Sequence, residues 1–411
     1  MHENLAAAGI DLALSTRGTY QNIVAGGYTG ADDALGATTL ALRLDTARAG
    51  AWSGGELRLR AEARYGGDVQ AAFGGFDALD VDQLLPADPA RFGRSAIGLS
   101  EAVYQQSLGD YAKVYAGLVN SLGDEANPLA GSLASHDRFL NAALLAAPVR
   151  LRLAPEASVG AGVLLSLPRN VSADLRVQDG DEAVGRSPFA LRAGTIVTNE
   201  WRWNYSVMGH PGSVLAGARY GFDRSYSSAG SEAPAALARL APSAALHTRQ
   251  ASWAAYYDLA QSLGEWGGGR GWGVFWRHGY GDNDVNPVDW SVAFGVVATG
   301  PWEQRPHDTA GWGYFHVYQV DGALLRHYAY DDEQGWEAWY NAELAPWLHV
   351  TLDLQMIDSD IDRRHPGESS PVLAPGGLML PAASAGELTG AHASDLSWVF
   401  GLRTEIAFAG W

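Results

Sequence analysis

The sequence contains no cysteine, which excludes disulfides, thiolate zinc sites and cysteine nucleophiles. It is short of charge, with 18% charged residues where an average globular chain has about 25%. Positive charge is scarcer still: 28 Lys and Arg, of which Lys113 is the single lysine, face 46 Asp and Glu, for a net charge of −18. A nucleic-acid surface needs clustered positive charge, so that class of partner is excluded. No stretch approaches the ~18 uncharged apolar residues of a membrane-spanning helix, and apolar runs such as Leu140–Val149 are far shorter. The N-terminal Met1-His2-Glu3-Asn4 has no basic segment leading into an apolar one. The chain therefore reads as a mature segment, its signal peptide already removed and a start Met added.

What the chain has in quantity is glycine and aromatic residues: 50 Gly, 15 Trp, 17 Tyr and 11 Phe in 411 residues. With 47% hydrophobic residues it is not disordered. Alternation with period two dominates. From Glu56 to Tyr65 the even positions Glu56, Arg58, Arg60, Glu62 and Arg64 are charged and the odd ones apolar. A strand puts those charges on one face, whereas a helix would scatter them. The pattern recurs at Leu40–Asp45, Val149–Leu153, Trp336–Leu344, Leu348–Met356 and Trp398–Phe408. About sixteen strands are expected: 10–23, 38–46, 55–66, 98–107, 111–119, 147–154, 157–166, 190–205, 213–222, 251–260, 271–280, 290–299, 310–319, 335–344, 348–356 and 397–408.

Alternation alone does not say whether the apolar face meets a core or lipid; the connections do. Links at 47–54, 108–110, 155–156, 206–212 and 345–347 are short, and those between them, at 67–97, 120–146, 167–189, 223–250 and 357–396, are long. Two links of the first set, 261–270 and 300–309, are intermediate, and one of the second, 281–289, is short. An even strand number with short turns at one end and long loops at the other is the outer-membrane arrangement. Trp290, Trp336 and Trp398 sit at one set of strand ends and Trp302, Trp347 and Phe408 at the other, as two interfacial aromatic rings require. The reading is an all-β chain, a transmembrane antiparallel β-barrel over residues 1–411 with short periplasmic turns and long extracellular loops.

The chain also resembles the carbohydrate-selective OprB-type porins of Gram-negative outer membranes over nearly its whole length. The resemblance is carried by Gly9–Gly27 (GIDLALSTRGTYQNIVAGG), Gly50–Gly55, Asp137–Asn141, Gly271–Tyr280 (GWGVFWRHGY), Asn286–Trp290, Glu337, Ala345–Gln355 and the closing Trp398–Phe408. It implies a passive channel for small sugars in the outer membrane, in contact with lipid and lipopolysaccharide, and a homotrimer. It also implies that the loop 120–146, with Asn120, Asp124, Glu125, Asp137 and Arg138, folds into the barrel and narrows it.

A barrel of this size leaves a water-filled channel, so function is expected in its wall. Strand parity points Arg43, Asp45, Arg58, Arg60, Glu62, Arg64, Lys113, Arg150, Arg152, Arg277, Glu337, Trp339, Asp353, Gln355 and Arg403 into the lumen. Arg donors and carboxylate acceptors can replace water around sugar hydroxyls, and Trp339 could stack on a pyranose ring. Excess acidity is expected in mouth loops such as 77–88, 179–182 and 357–368. No cofactor is expected. Asp358, Asp360 and Asp362 lack the glycine and distal Glu of a calcium loop, and HExxH and G-x-S-x-G motifs are absent. The enzyme rival, a soluble β-rich glycosidase or sugar-binding protein, gives no reason for loops to sort by parity. A general diffusion porin or secretion conduit remains the alternative within the barrel class.

Overall fold

The computed structural model describes residues 2–26, 30–70, 78–84, 95–151, 153, 155–181, 194–227, 248–320, 332–358, 371–374, 378–381 and 396–408. A short helix α1 (His2–Ala7) precedes the first strands, β1 (Ile10–Ala25), β2 (Asp32–Asp45), β3 (Gly55–Gly66), β4 (Ser95–Leu108) and β5 (Ala112–Asn120). After a long loop follow β6 (Ala157–Leu167), β7 (Val171–Asp179), β8 (Thr195–Val207), β9 (His210–Ser227) and β10 (Thr248–Gly267). Then come β11 (Arg270–Gly281), β12 (Val288–Thr299), β13 (Thr309–Gln319), β14 (Glu333–Ala345) and β15 (Leu348–Asp358). β16 (Pro371–Ala374) and β17 (Leu378–Pro381) form a separate two-stranded sheet, and β18 (Leu396–Phe408) ends the described chain. Sixteen strands, all but β16 and β17, close antiparallel into a barrel, with β18 hydrogen-bonded to both β15 and β1.

Register converts the alternation into two surfaces. Asn341, Thr351 and Arg403 pair across β14, β15 and β18 and face inward, while the neighbouring Tyr340, Leu352 and Leu402 face out. Leu352 is 50% exposed whereas Thr351 and Asp353 on either side of it are 2% exposed. Trp253, Trp276, Tyr280, Trp312 and Phe400 share the exposed outer face. A continuous apolar exterior of this kind is foreign to a soluble monomer and matches the lipid-facing band of an outer-membrane barrel. The soluble sandwich is therefore excluded.

The short links are tighter than the sequence suggests. Met208-Gly209 joins β8 to β9 with φ of 52° and 86°, the two positive angles of a hairpin turn matched to strand twist. Gly267, Gly268 and Gly269, all at positive φ, reduce the expected link 261–270 to a minimal turn.

One expected strand is absent and one unexpected strand is present. The described residues of 147–154 do not join the barrel wall: Pro148–Leu151 form a helical turn, α3, inside it. Proline lacks the N–H a ladder requires and suits the first turn of a helix, so the Val149–Leu153 alternation is coincidental. The missing strand is β7, placed in a loop by the sequence reading. Its Ser172, Asp174, Arg176 and Gln178 point inward, and it is reached through a turn with Arg169 and Asn170 at φ of 66° and 59°. The two changes cancel, so the number of barrel strands and the sorting of loops hold. The loop expected at 120–146 becomes 121–156.

That loop, L3, folds into the barrel and packs on its inner wall. It carries α2 (Ala142–Leu145) and α3, and every residue from Phe139 to Arg150 is buried. Phe139 meets Phe275 and Trp339 edge-on at ring distances of 5.5 and 5.6 Å. Gly311 and Gly313 make this approach possible. A Cβ on Gly313 would stand 2.7 Å from Leu144, and one on Gly311 the same distance from the Trp339 ring. Each large apolar side chain buried here contributes about 1.5–3 kcal/mol relative to exposure.

Candidate functional site: the lumen

L3 is fastened to the inner wall by polar side chains, most of which bind its backbone. Glu337 of β14 accepts from Leu140 N–H at 2.7 Å and Asn141 N–H at 2.9 Å. Asn141 in turn donates to Gln355 at 3.2 Å and caps α2. Arg277 of β11 donates to the carbonyls of Leu145 and Gly131 and pairs with Asp258 at 2.9 Å. Arg202 of β8 donates to Ala126 O, Asn286 to Val149 O and Thr309 to Asp137 O. Within L3, Arg150 and Glu125 pair at 2.7 Å, and Glu125 also accepts from Ala147 N–H. Asp124 lies between Arg176 of β7 and Arg219 of β9. Burial alone would raise the Asp124 carboxyl, but those two guanidinium charges outweigh it and hold the group below its ordinary value.

Of the loop between β3 and β4, L2, the described residues 78–84 are also inserted and are held beside L3. Val81 N–H donates to Leu140 O and Ala142 N–H to Ala78 O. Asp82 takes a forked contact from Arg17 of β1 at 3.0–3.2 Å, and Asp80 pairs with Arg403 of β18 at 2.5 Å. Gln21 and Gln355 both donate to Leu79 O. His136 of L3 lies 3.6 Å from Asp82, and its carbonyl accepts from Arg403. Burial would raise Asp82, yet Arg17, His136 and Arg403 hold it well below the usual carboxylate range. Burial, reinforced by Arg17, Arg403 and Arg60, holds His136 well below its ordinary value against the pull of Asp82. These aspartates correct one expectation: within 77–88, Asp80 and Asp82 are sealed inside the barrel rather than displayed at its mouth.

The expected lumen residues thus fall into distinct groups. Arg277, Glu337, Gln355 and Arg403 are buried anchors of the inserted loops, and Trp339 is part of the packing under L3. Asp353 is buried beside them and accepts from Gln355 at 2.9 Å. Arg64 donates to Gln83 O and Asp68, which ties it to L2. Glu62 is buried 3.7 Å from Arg60. Arg150 belongs to L3 and not to a wall strand, which corrects its assignment; Arg152 lies outside the described residues. Asp45 accepts from Ala47 and Arg48 N–H, and Asn120 from Leu122 N–H, so both shape strand ends.

The remaining group stays open to the lumen. Arg43 pairs with Glu56 at 2.5 Å while its side chain is 46% exposed. Arg58, 40% exposed, lies 3.4 Å from Glu101, and Arg60 is 26% exposed. Lys113 is exposed and has no ion pair among the described residues. On L3, Asp137 and Arg138 pair at 3.3 Å, with Asp137 47% exposed. The sequence reading did not single out Arg17, Asp80, Asp82, Asn127, Arg176 and Asp258. Arg17 and Arg176 carried a signal, since each sits on the polar face of an alternating strand.

Residues 31–408 match the family described as carbohydrate-selective porin, OprB family. No curated protein sequence matches the chain. Among solved structures, the high-pH structure of OprB from Pseudomonas putida aligns over 99% of this chain and 96% of its own, at a TM-score of 0.77 and 18% identity. The channel DcaP of Acinetobacter baumannii aligns over 97% of both chains at 0.52 and 9%. OmpT of Vibrio cholerae, in vitro folded and in trimer form, covers 97% of this chain and 99% of its own at 0.51 and 11%.

Proposed function

Because the chain belongs to the carbohydrate-selective OprB porin family, it is a sugar-selective outer-membrane porin, and we propose that solute passes along the sector of lumen that L3 leaves free. The wall of that path is Arg43, Arg58, Arg60 and Lys113 with Glu56 and Glu101, and its other side is Asp137 and Arg138. Transport is passive diffusion. The observation that supports this path is the uneven exposure of chemically similar side chains: Arg43, Arg58, Arg60 and Lys113 on β2, β3 and β5 stay open while Arg277, Glu337 and Arg403 on β11, β14 and β18 lie under inserted loops. Open Arg–Glu pairs offer donors and acceptors side by side, which suits a hydroxyl that both gives and takes a hydrogen bond. Because the charges alternate in sign, a neutral polyol gains contacts without the repulsion an ion meets at each step. The assembly we propose is a homotrimer surrounded by outer-membrane lipid and lipopolysaccharide, supported by the apolar exterior and by the trimer form of the OmpT relative. The experiment is single-channel recording in planar bilayers with sugars added. Parent channels should show sugar-dependent block, and replacing Arg58 and Arg60 together by Ala should weaken it and increase cation preference. A parent channel indifferent to every sugar would favour a general diffusion pore.

A further inference from the structure

Behind L3, on the short-turn side, the inner wall holds a recess of about 340 Å³. Two neighbouring rungs of the barrel build it. The rung next to the Pro168–Asn170 turn runs Ser166, Ser172, Arg202, Leu215 across β6 to β9. The rung above runs Leu164, Asp174, Glu200, Gly217. Residues Gly123–Ala126 of L3 form the roof.

Its polar groups are fixed from behind and left free in front. Tyr115 donates to Asp174 at 2.6 Å and Tyr256 donates to Glu200. Arg202 is held by Ala126 O and by Ser213 at 3.0 Å. The hydroxyls of Ser166 and Ser172 make no side-chain hydrogen bond among the described residues, and Glu200 makes none beyond Tyr256. Each tyrosine contact occupies one oxygen of its carboxylate and orients the other. Leu164 and Leu215 add an apolar patch within the polar frame.

Charge here is balanced. Asp124 is neutralised by Arg176 and Arg219, Glu125 by Arg150, and Asp174 has Arg176 at 3.6 Å. Neither an anion nor a cation finds a net attraction, so the fitting ligand is neutral, rich in hydroxyls, and partly apolar. The volume lies at the lower end of the ~300–1,000 Å³ range of small-molecule sites, enough for one or two sugar rings. We propose that this recess is a carbohydrate-binding subsite on the exit side of L3, with Ser166, Ser172, Glu200 and Arg202 as its hydrogen-bonding groups. It rests on the sugar-porin reading above and adds a second binding station, on a part of the wall distinct from the Arg58–Arg60 path.

The test uses oriented single channels with maltose added from either side. Replacing Ser166 and Ser172 together by Ala should raise the half-blocking concentration for maltose from the short-turn side about tenfold, the loss of two ordinary hydrogen bonds. Ser166→Trp, at an exposed rim position, should remove that component by filling the recess. Block from the long-loop side should change less in both. Heat-modifiable gel migration checks assembly, and the two Ala substitutions decide alone if the Trp variant does not assemble. A parent blocked by sugar with variants blocked identically from both sides overturns the subsite and leaves the porin reading standing. A parent that no sugar blocks overturns both.

Discussion

Two sectors of one inner wall are built from the same side chains and do different work. Between β7 and β18, Arg176, Arg219, Arg277, Glu337 and Arg403 are buried and hold L2 and L3 in place. On β2, β3 and β4 the pairs Arg43–Glu56 and Arg58–Glu101 are open to the lumen. Composition does not distinguish them. What differs is whether a loop lies over them, and that changes the energetics of each group. A buried charge left without its partner costs about 3–5 kcal/mol, while an exposed ion pair is worth about 0–1 kcal/mol. The first sector is therefore sensitive to any loss, and the second is free to vary in solute contacts.

The largest expected effect comes from breaking the covered sector. Glu337→Ala leaves the buried N–H groups of Leu140 and Asn141 without their acceptor, each at a cost of about 1–3 kcal/mol. L3 should loosen while the barrel still assembles, so conductance and open-channel noise should rise together with protease cleavage within 121–156. Unchanged conductance with an uncut loop would show that apolar packing alone holds L3. A smaller effect sharpens the contrast. Arg43→Ala with Arg58→Ala, whose partners Glu56 and Glu101 keep access to the lumen, should alter thermal stability by no more than about 1 kcal/mol per exposed pair, measured as the temperature of heat modification. A large loss of stability there would erase the distinction between sectors.

The smallest effect is that of pH on the junction of L2 and L3. His136 faces Asp82, Arg17, Arg403 and Arg60, and both His136 and Asp82 have folded pKa values below their ordinary ones. Each contribution is therefore intact above the unfolded value and is lost as pH falls toward the folded one. His136 should begin to weaken the junction below about pH 6.5, and Asp82 only below about pH 4, with at most about 1.4 kcal/mol per pH unit from each group. Channel noise should rise between pH 7.5 and 5, and His136→Gln should flatten that rise. An identical rise in the variant would assign it to another group.

The fold was legible where alternation is strict. On β3, β14, β15 and β18 period two puts every inward residue on the correct side. It failed where two segments alternate equally well, 147–154 and 171–179, and only turn chemistry separates them. Pro148 cannot serve a ladder, and Arg169-Asn170 adopts the left-handed angles of a hairpin turn. The site was half legible for a deeper reason. Parity tells which way Glu337 or Arg58 points, but whether water or protein stands in front depends on the course of L3 through the barrel. That course is set by contacts such as Arg277 to Leu145 O, which join residues 132 positions apart.

The way L3 is fastened has an implication for how this channel can change. The wall grips carbonyls and N–H groups of the loop, which every residue but proline supplies in full. The loop's route is thus written in the barrel, and side chains such as Asp137 and Arg138 that face the passage carry little of the mooring. Tethering and taste are separable. Substitutions at those two positions can retune which solute is favoured without casting the loop adrift, a modularity that suits the channel to redesign.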